Sequence, residues 1–244
     1  MLIPLLSGGR FDLEQLEDEL RNGLNVLLVA NPHNPTGRAL PRDELEQIAD
    51  LCAQYGAWVL ADEIHAPLVL PGAEHVAWLE VSDAARECGI SLISASKAFN
   101  LAGLKAALMV TASERARDVV RRLPFNAEQV GLLGVVAAEA AFADGDEWLD
   151  EVIRQLDFNR SLLIDQLPSG IRWTPPEATY VAWLDCGGLG LGEDPSEVFL
   201  REAKVALGPG RDYDPSNSGF VRLNFGTSDE LLTEMLRRMN VVVG

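Results

Sequence analysis

The sequence predicts an α/β protein: a mostly parallel sheet with flanking helices, followed by a smaller α+β domain. Three observations support this fold class. Short apolar runs alternate with helical patterns in the first half of the chain, which is typical of a parallel sheet. Strands of alternating polarity occur only in the second half. The chain has 244 residues, 48% of them hydrophobic, which is enough for a sizeable core.

The first half begins with a predicted helix whose N-cap is Asp12, since Gln15 follows three residues later as in a capping box. Gly23 is expected to end this helix. The run 26–30 is apolar at every position and predicts a strand buried on both faces. A second amphipathic helix follows Pro41. Three further apolar runs predict the remaining strands of this sheet, at 57–61, 90–94 and 106–110.

The second half begins with two helices, predicted at roughly 127–143 and 146–167 and separated by Gly145. Later, the segment 220–225 alternates in polarity, which predicts a strand with one exposed face. These changes predict three regions: a partial cofactor-binding large domain at 1–125, connecting helices at 126–168, and a small C-terminal domain at 169–244.

Composition excludes several classes of function. Twenty basic and 37 acidic residues give a formal net charge of −17, which disfavours binding to nucleic acid or to an anionic membrane surface. Three scattered cysteines and three histidines argue against a disulfide framework and against a metal centre. A reducing, cytoplasmic location is the simplest expectation.

Three polar segments each follow a predicted parallel strand, at 31–37, 62–65 and 94–97. In an open α/β sheet the ligand crevice lies outside the carboxyl ends of the strands, so these segments are expected to converge there. Each also has an ordinary interpretation when taken alone. The Asn-Pro pairs are common in turns, Asp62 and Glu63 suit helix caps, and a lone lysine is most often solvated.

Together the residues suit pyridoxal phosphate. A lysine such as Lys97, delivered into a cleft by an apolar strand, supplies a nucleophilic amine for Schiff-base chemistry. Asp62 suits the protonated pyridine nitrogen. Asn34 and His65 can reach the ring oxygen. Arg222, although usually an ion-pair or surface residue on such a strand, can bind a substrate carboxylate through its bidentate fork. The phosphate would be bound by three further residues: Ser94, Ser96 and Lys105.

Four motifs, NPHNPTG, DEIHAPLV, SASKAFNLAGLK and FVRLNF, resemble those of the fold-type I pyridoxal-phosphate enzymes, the aspartate aminotransferase superfamily. The resemblance is closest to the MalY/PatB branch, the cystathionine β-lyase or C–S lyase group, and it extends over nearly the whole chain. It implies that Lys97 is the Schiff-base lysine and catalytic residue, and it gives the same cofactor and substrate roles to the other residues. It also implies a homodimer acting on a small amino-acid substrate.

The same resemblance indicates that the chain lacks the N-terminal third of such enzymes, which normally carries a phosphate-binding loop. The expected activity is release of a thiol, pyruvate and ammonia from cystathionine or a similar cysteine conjugate. Two alternatives stay open: an aminotransferase using the same lysine, and a non-catalytic truncated or regulatory binding protein. The S-x-x-K pattern at 94–97 also occurs in penicillin-binding hydrolases, but the S-D-N and K-T-G partners of that pattern are absent.

Overall fold

The computed structural model describes residues 3, 5–6, 9–124, 127 and 129–244. Its helices are α1 Leu13–Arg21, α2 Arg42–Gln54, α3 Trp78–Val81, α4 Asp83–Cys88, α5 Glu114–Val120, α6 Leu132–Asp144, α7 Asp146–Gln166, α8 Pro195–Val198 and α9 Asp229–Val243. Its strands are β1 Val26–Ala30, β2 Trp58–Asp62, β3 Gly89–Ile93, β4 Leu108–Val110, β5 Arg172–Trp173, β6 Val181–Asp185, β7 Gly208–Pro209 and β8 Phe220–Asn224.

The first sheet has the strand order β1-β2-β3-β4. The three strands β1, β2 and β3 run parallel, and β4 pairs antiparallel with β3, so the predicted mostly parallel sheet is confirmed. The bounds of β2 and β3 differ by one residue from the predicted runs, and β4 begins two residues later than predicted. The chain therefore has the layered α/β arrangement that places polar strand ends along one edge.

Among the residues that the structure describes, helices cover one face of this sheet and leave the other open. Leu27 and Val29 of β1 are 6% and 2% exposed and pack in a core with residues of α1, α2 and α4. Val26 and Leu28 lie on the opposite face and are 48% and 62% exposed. The prediction that β1 is buried on both faces is therefore wrong. An apolar run indicates that both faces of the strand are suited to burial. It does not indicate that another element covers both faces.

The two faces of β1 predict opposite responses to substitution. Val29→Ser is expected to destabilise the chain by about 2–4 kcal/mol, because it leaves a cavity and buries a hydroxyl. Leu28→Ser, the matched control on the open face, is expected to change stability by less than about 1 kcal/mol. Urea unfolding of both variants measures the difference, and equal losses would contradict the one-sided burial.

The second sheet is antiparallel throughout, with the order β5-β6-β8-β7. Val221, Leu223 and Phe225 are fully buried, while Phe220 and Arg222 point to the other face and are half-buried, which confirms the predicted alternation. The inner face packs against α7 and α9 in a second core. One face of β8 is therefore available to position a polar side chain toward the first sheet.

Two helices link the halves. The first begins at Leu132, not near 127 as predicted, because Gly131 is extended and acts as its N-cap. The predicted boundary between residues 125 and 126 lies outside the described residues. The second helix, α7, ends at Gln166, one residue before its predicted end, and a buried Asn159 donates to the Phe225 and Thr227 carbonyls at 2.8 Å. No helix in the described part of the chain combines the length and apolarity needed to cross a bilayer.

Candidate active site

The candidate site lies at the edge of the first sheet where β1, β2 and β3 end. Asp62 is the last residue of β2, and its Cα partners are Ala30 at the end of β1 and Leu92 in β3. Because side chains alternate along a strand, Asp62 shares the open face with Ala30 and Leu28. The fold therefore presents this carboxylate on the side of the sheet that the helices leave uncovered.

Backbone hydrogen bonds fix Asp62 on both sides. The Asn31 N–H donates to the Asp62 carbonyl at 3.0 Å, and the N–H of Glu63, the residue after β2, donates to the Leu92 carbonyl at 3.0 Å. Within the described chain, the Asp62 carboxylate accepts one hydrogen bond, from the Ile64 N–H at 3.2 Å. A carboxylate has about four acceptor sites, so most of its capacity is left for a ligand.

A buried polar network lies behind Asp62, on the helix-covered side of the sheet. The Glu63 side chain accepts from the Trp78 N–H at 2.8 Å, at the start of α3, and lies 3.3 Å from His75 Nε2. Asn31 Nδ2 lies 3.5 Å from the other ring nitrogen of His75. Glu63 therefore binds the first N–H of α3 through a long-range contact, and the network anchors the ends of β1 and β2.

His65 lies three residues after Asp62 and is 6% exposed. Its ring meets the Tyr180 ring edge-on, with the centroids 5.5 Å apart. The buried Nδ1 atom has no hydrogen-bond partner among the residues described. Burial, together with the positive charges of Lys97 and Arg222, lowers the pKa of His65 to about 4. The ring is therefore neutral at neutral pH, and one of its nitrogens is left to bind a ligand atom.

Lys97 lies in the turn that follows β3 and is half-buried. Across the described ranges, its amine makes no ion pair and no hydrogen bond. Its charge reaches His65, so the two side chains belong to one site. A half-buried cation without an acidic partner destabilises the folded chain. This chain is acidic overall, so a carboxylate partner would have been easy to supply. This amine is therefore available for chemistry.

Asn34 and Arg222 meet directly although they are 188 positions apart. The Arg222 Nη1 group donates to Asn34 Oδ1 at 3.2 Å, which joins the loop after β1 to the outer face of β8. Nearby, Gly37 approaches Pro176 so closely that a Cβ at position 37 would lie 2.4 Å from the Pro176 Cβ. Its φ of +71° also favours glycine. This close approach holds the loop after β1 against the segment before β6, where the Glu177 and Ala178 N–H groups both donate to the Gly37 carbonyl at 2.9 Å.

The predicted phosphate-binding residues form a second group. Ser94 Oγ donates to the Ala106 carbonyl at 2.6 Å and accepts from the Ser96 N–H at 3.1 Å. Lys105 has a left-handed backbone with φ of 52°, and its side chain is exposed. No hydrogen bond in the described structure joins this group to His65 or Arg222. The hydroxyl proton of Ser94 is already used within the turn, which leaves Lys105 as the most accessible donor.

Two aromatic residues near Arg222 and His65 were not predicted from the sequence. The guanidinium carbon of Arg222 lies 5.5 Å from the centroid of the Tyr213 ring, and Tyr180 packs on His65. Burial raises the pKa of both tyrosines, so both hydroxyls are neutral at physiological pH. Their proximity to Arg222 and His65 depends on the pairing of β6 with β8, and a sequence does not reveal which strands pair.

The buried histidines predict that the chain loses stability on mild acidification. Burial lowers the pKa of His33 and of His65 to about 4, against 6.5 when unfolded, and the Arg38 charge also acts on His33. The unfolded state therefore takes up protons first as the pH falls. Between about pH 7 and about pH 5.5 each histidine should remove about 1 kcal/mol of unfolding free energy.

Urea unfolding at these two pH values measures that loss. His65→Gln is expected to halve it, because it removes one of the two histidines whose pKa is lowered in the folded chain. A wild-type chain equally stable at both pH values would contradict the neutral, buried state of the two rings.

A family model described as aminotransferase class I and II matches residues 3–239. A candidate cystathionine beta-lyase of Mycobacterium tuberculosis is 40% identical, covering 97% of this chain and 65% of its own length. The cystathionine beta-lyase of Corynebacterium glutamicum is 37% identical, covering 96% of this chain and 63% of its own length. The PLP-bound C–S lyase of Staphylococcus hominis superposes with a TM-score of 0.86 at 26% identity, covering 96% of this chain and 61% of that one. The chain thus spans less than two thirds of the length of these relatives.

Proposed function

The chain belongs to the aminotransferase class I and II family, and we propose that it is a pyridoxal-phosphate-dependent C–S β-lyase of the cystathionine β-lyase type. It acts on cystathionine or a similar cysteine conjugate and releases a thiol, pyruvate and ammonia. Relatives named cystathionine beta-lyase or C–S lyase support the lyase over an aminotransferase.

The observation that carries the proposal is the environment of His65. A buried Nδ1 without a hydrogen-bond partner lies within reach of the charges of Lys97 and Arg222. An orphaned buried polar atom is destabilising unless a ligand satisfies it. The ring oxygen of pyridoxal phosphate would do so, and Asp62 on the neighbouring open face suits the pyridine nitrogen. The residues present therefore fit this cofactor.

When bound, pyridoxal phosphate supplies an electron sink that makes the α-proton of an amino acid acidic. Lys97 would hold the cofactor through its amine and would serve as the base that takes the α-proton of the substrate. The Asp62 carboxylate keeps a proton on the pyridine nitrogen. Asn34 and His65 orient the ring through its oxygen.

The remaining residues bind the two anionic ends. Lys105 supplies charge to the cofactor phosphate and Ser96 a hydroxyl donor, while Ser94, whose proton the Ala106 carbonyl accepts, fixes the turn that carries Ser96. Arg222 binds the substrate carboxylate through its guanidinium fork, while its bond to Asn34 keeps that fork near the cofactor ring. The net charge of −17 repels an anionic ligand at long range, so the positive residues of the site attract it only at short range. The phosphate and the substrate carboxylate therefore need direct contacts with these residues.

Incubation of the chain with pyridoxal phosphate and L-cystathionine tests the proposal. Pyruvate, measured by coupled reduction, and free thiol, measured with a chromogenic disulfide, are expected to form in equal amounts. Amino transfer to an added keto acid, without thiol, would indicate the aminotransferase instead. A chain that develops no visible absorbance band with the cofactor would contradict cofactor binding and favour a non-catalytic role.

We also propose that the protein acts as a homodimer in the cytoplasm. The three cysteines, Cys52, Cys88 and Cys186, are all free and buried, as a reducing compartment allows. Sedimentation analysis tests the dimer, and a monomer at micromolar concentration would contradict it.

A further inference from the structure

Arg222 differs from most arginines of this chain in having no acidic partner. Arg38 pairs with Glu44, and Arg211 pairs with Asp194. For Arg222, the contacts given by the described residues are Asn34 Oδ1 at 3.2 Å and the face of an aromatic ring. The sequence has 37 acidic residues, yet none of those described pairs with this half-buried cation. This suits a site that must receive the carboxylate of a ligand.

The aromatic contact is Tyr213. It follows the short turn Gly210–Asp212 after β7, and its ring centroid lies 5.5 Å from the Arg222 guanidinium carbon. Gly208 pairs with Arg222 across β7 and β8, and a Cβ at position 208 would lie 3.7 Å from Arg222 Nε. The arginine side chain therefore crosses β7 at this glycine and ends over the ring. The 5.5 Å between the guanidinium carbon and the ring centroid is within the range of a cation–π contact.

Tyr213 is itself held by other aromatic rings. Its ring meets Trp183 edge-on at 5.2 Å, and Trp183 stacks on Phe220 at 5.3 Å with an angle of 15°. Trp183 is also the Cα partner of Arg222 in the β6–β8 pair. The row of three rings thus lies on the same face of the sheet as Arg222 and limits where the tyrosine ring can move.

We propose that Tyr213 is a positioning residue that aims the Arg222 guanidinium at the substrate carboxylate, a role that rests on the proposed function. An aromatic face attracts the cation without using any of its five N–H donors. A carboxylate in the same place would neutralise the charge and occupy the fork. Asn34 takes one donor from Nη1, so the ring and the amide fix the guanidinium plane while further donors remain for a bidentate bond.

The hydroxyl of Tyr213 also lies close to Arg222, but the π face is the part of the side chain that this role requires. Tyr213→Phe is therefore expected to bind substrate as the wild type does. Tyr213→Leu fills similar space but has no π face, and it is expected to raise KM by about 3- to 30-fold with kcat little changed. A purely structural role would instead lower stability and affect both variants and both kinetic constants.

The direct readout is NMR of the cofactor-loaded chain, following the Arg222 Nε–Hε signal, assigned through Arg222→Lys, during titration with sodium propionate. In the wild type the signal is expected to show contacts with the Tyr213 ring protons and to shift on adding propionate. Tyr213→Phe should retain the propionate affinity, and Tyr213→Leu should weaken it by about 3- to 30-fold.

The possible failures are distinguishable. If propionate does not perturb Arg222 in the wild type, the substrate-carboxylate role in the proposed function is wrong. If propionate binds at Arg222 but Tyr213→Leu retains full affinity, or Tyr213→Phe loses as much as the leucine variant, the positioning role is wrong. Should Tyr213→Leu not fold, absence of ring-proton contacts in the wild type would still overturn it.

Discussion

Replacing Lys97 with alanine is expected to lower the lyase rate by about 10²–10⁴-fold, the contribution typical of a positioned general base. The variant also loses the only amine among the described residues that is half-buried and unpaired at the sheet edge. Covalent retention of the cofactor should be lost with it, so the visible absorbance of the loaded chain should disappear on desalting. Coupled pyruvate release and the absorbance spectrum measure the two effects separately.

Lys204→Ala is the matched control for this variant. Its Nζ donates to the Arg201 carbonyl at 2.8 Å on the exposed surface, far along the chain from the candidate site. The control is expected to keep full activity and full absorbance. A Lys97→Ala chain that retained the cofactor through desalting would contradict the role of this amine.

Replacing Asp62 with asparagine is expected to lower the rate by about 10–100-fold, because an amide cannot stabilise a protonated pyridine nitrogen as a carboxylate does. The change is nearly isosteric, and the backbone bonds that hold position 62 do not involve its side chain. The fold should therefore be unaffected. Cofactor affinity should fall as well, since one charged contact is lost.

Titration with pyridoxal phosphate, monitored through the protein's fluorescence, measures that affinity. Pyruvate release measures the rate. Asp50→Asn, on the exposed surface of α2, is the matched control and should behave as the wild type. If Asp62→Asn were as active as this control, the carboxylate would not contact the cofactor.

Local signals predicted much of the fold because they act over few residues. Asp12 accepts from the Gln15 N–H at 3.0 Å, as the capping box indicated, and Gly145 separates α6 from α7 at the predicted place. The burial of β1 was mispredicted because Leu28 is as apolar as Val29. Only the tertiary arrangement decides which of the two faces a helix covers.

In the candidate site, too, local signals were predictable from the sequence and contacts between distant residues were not. Parallel strands end at one edge, so the order of Asp62 and Lys97 along successive strands predicted that both lie at this edge of the sheet. The contact between Asn34 and Arg222 spans the two halves and was not predicted, because no local signal relates residues 188 positions apart. Tyr213 lies nine residues before Arg222 in a turn, and no periodicity relates the two, so the cation–π contact was not predictable from the sequence.

Borohydride reduction of the pyridoxal-phosphate-loaded chain, followed by peptide mass mapping, tests the central claim most directly. The sequence contains three lysines, Lys97, Lys105 and Lys204, so the attachment site can be assigned without ambiguity. The label is expected on the peptide that contains Lys97 and on neither of the others. A label on Lys105 or Lys204, or a chain left unlabelled at saturating cofactor, would contradict the account.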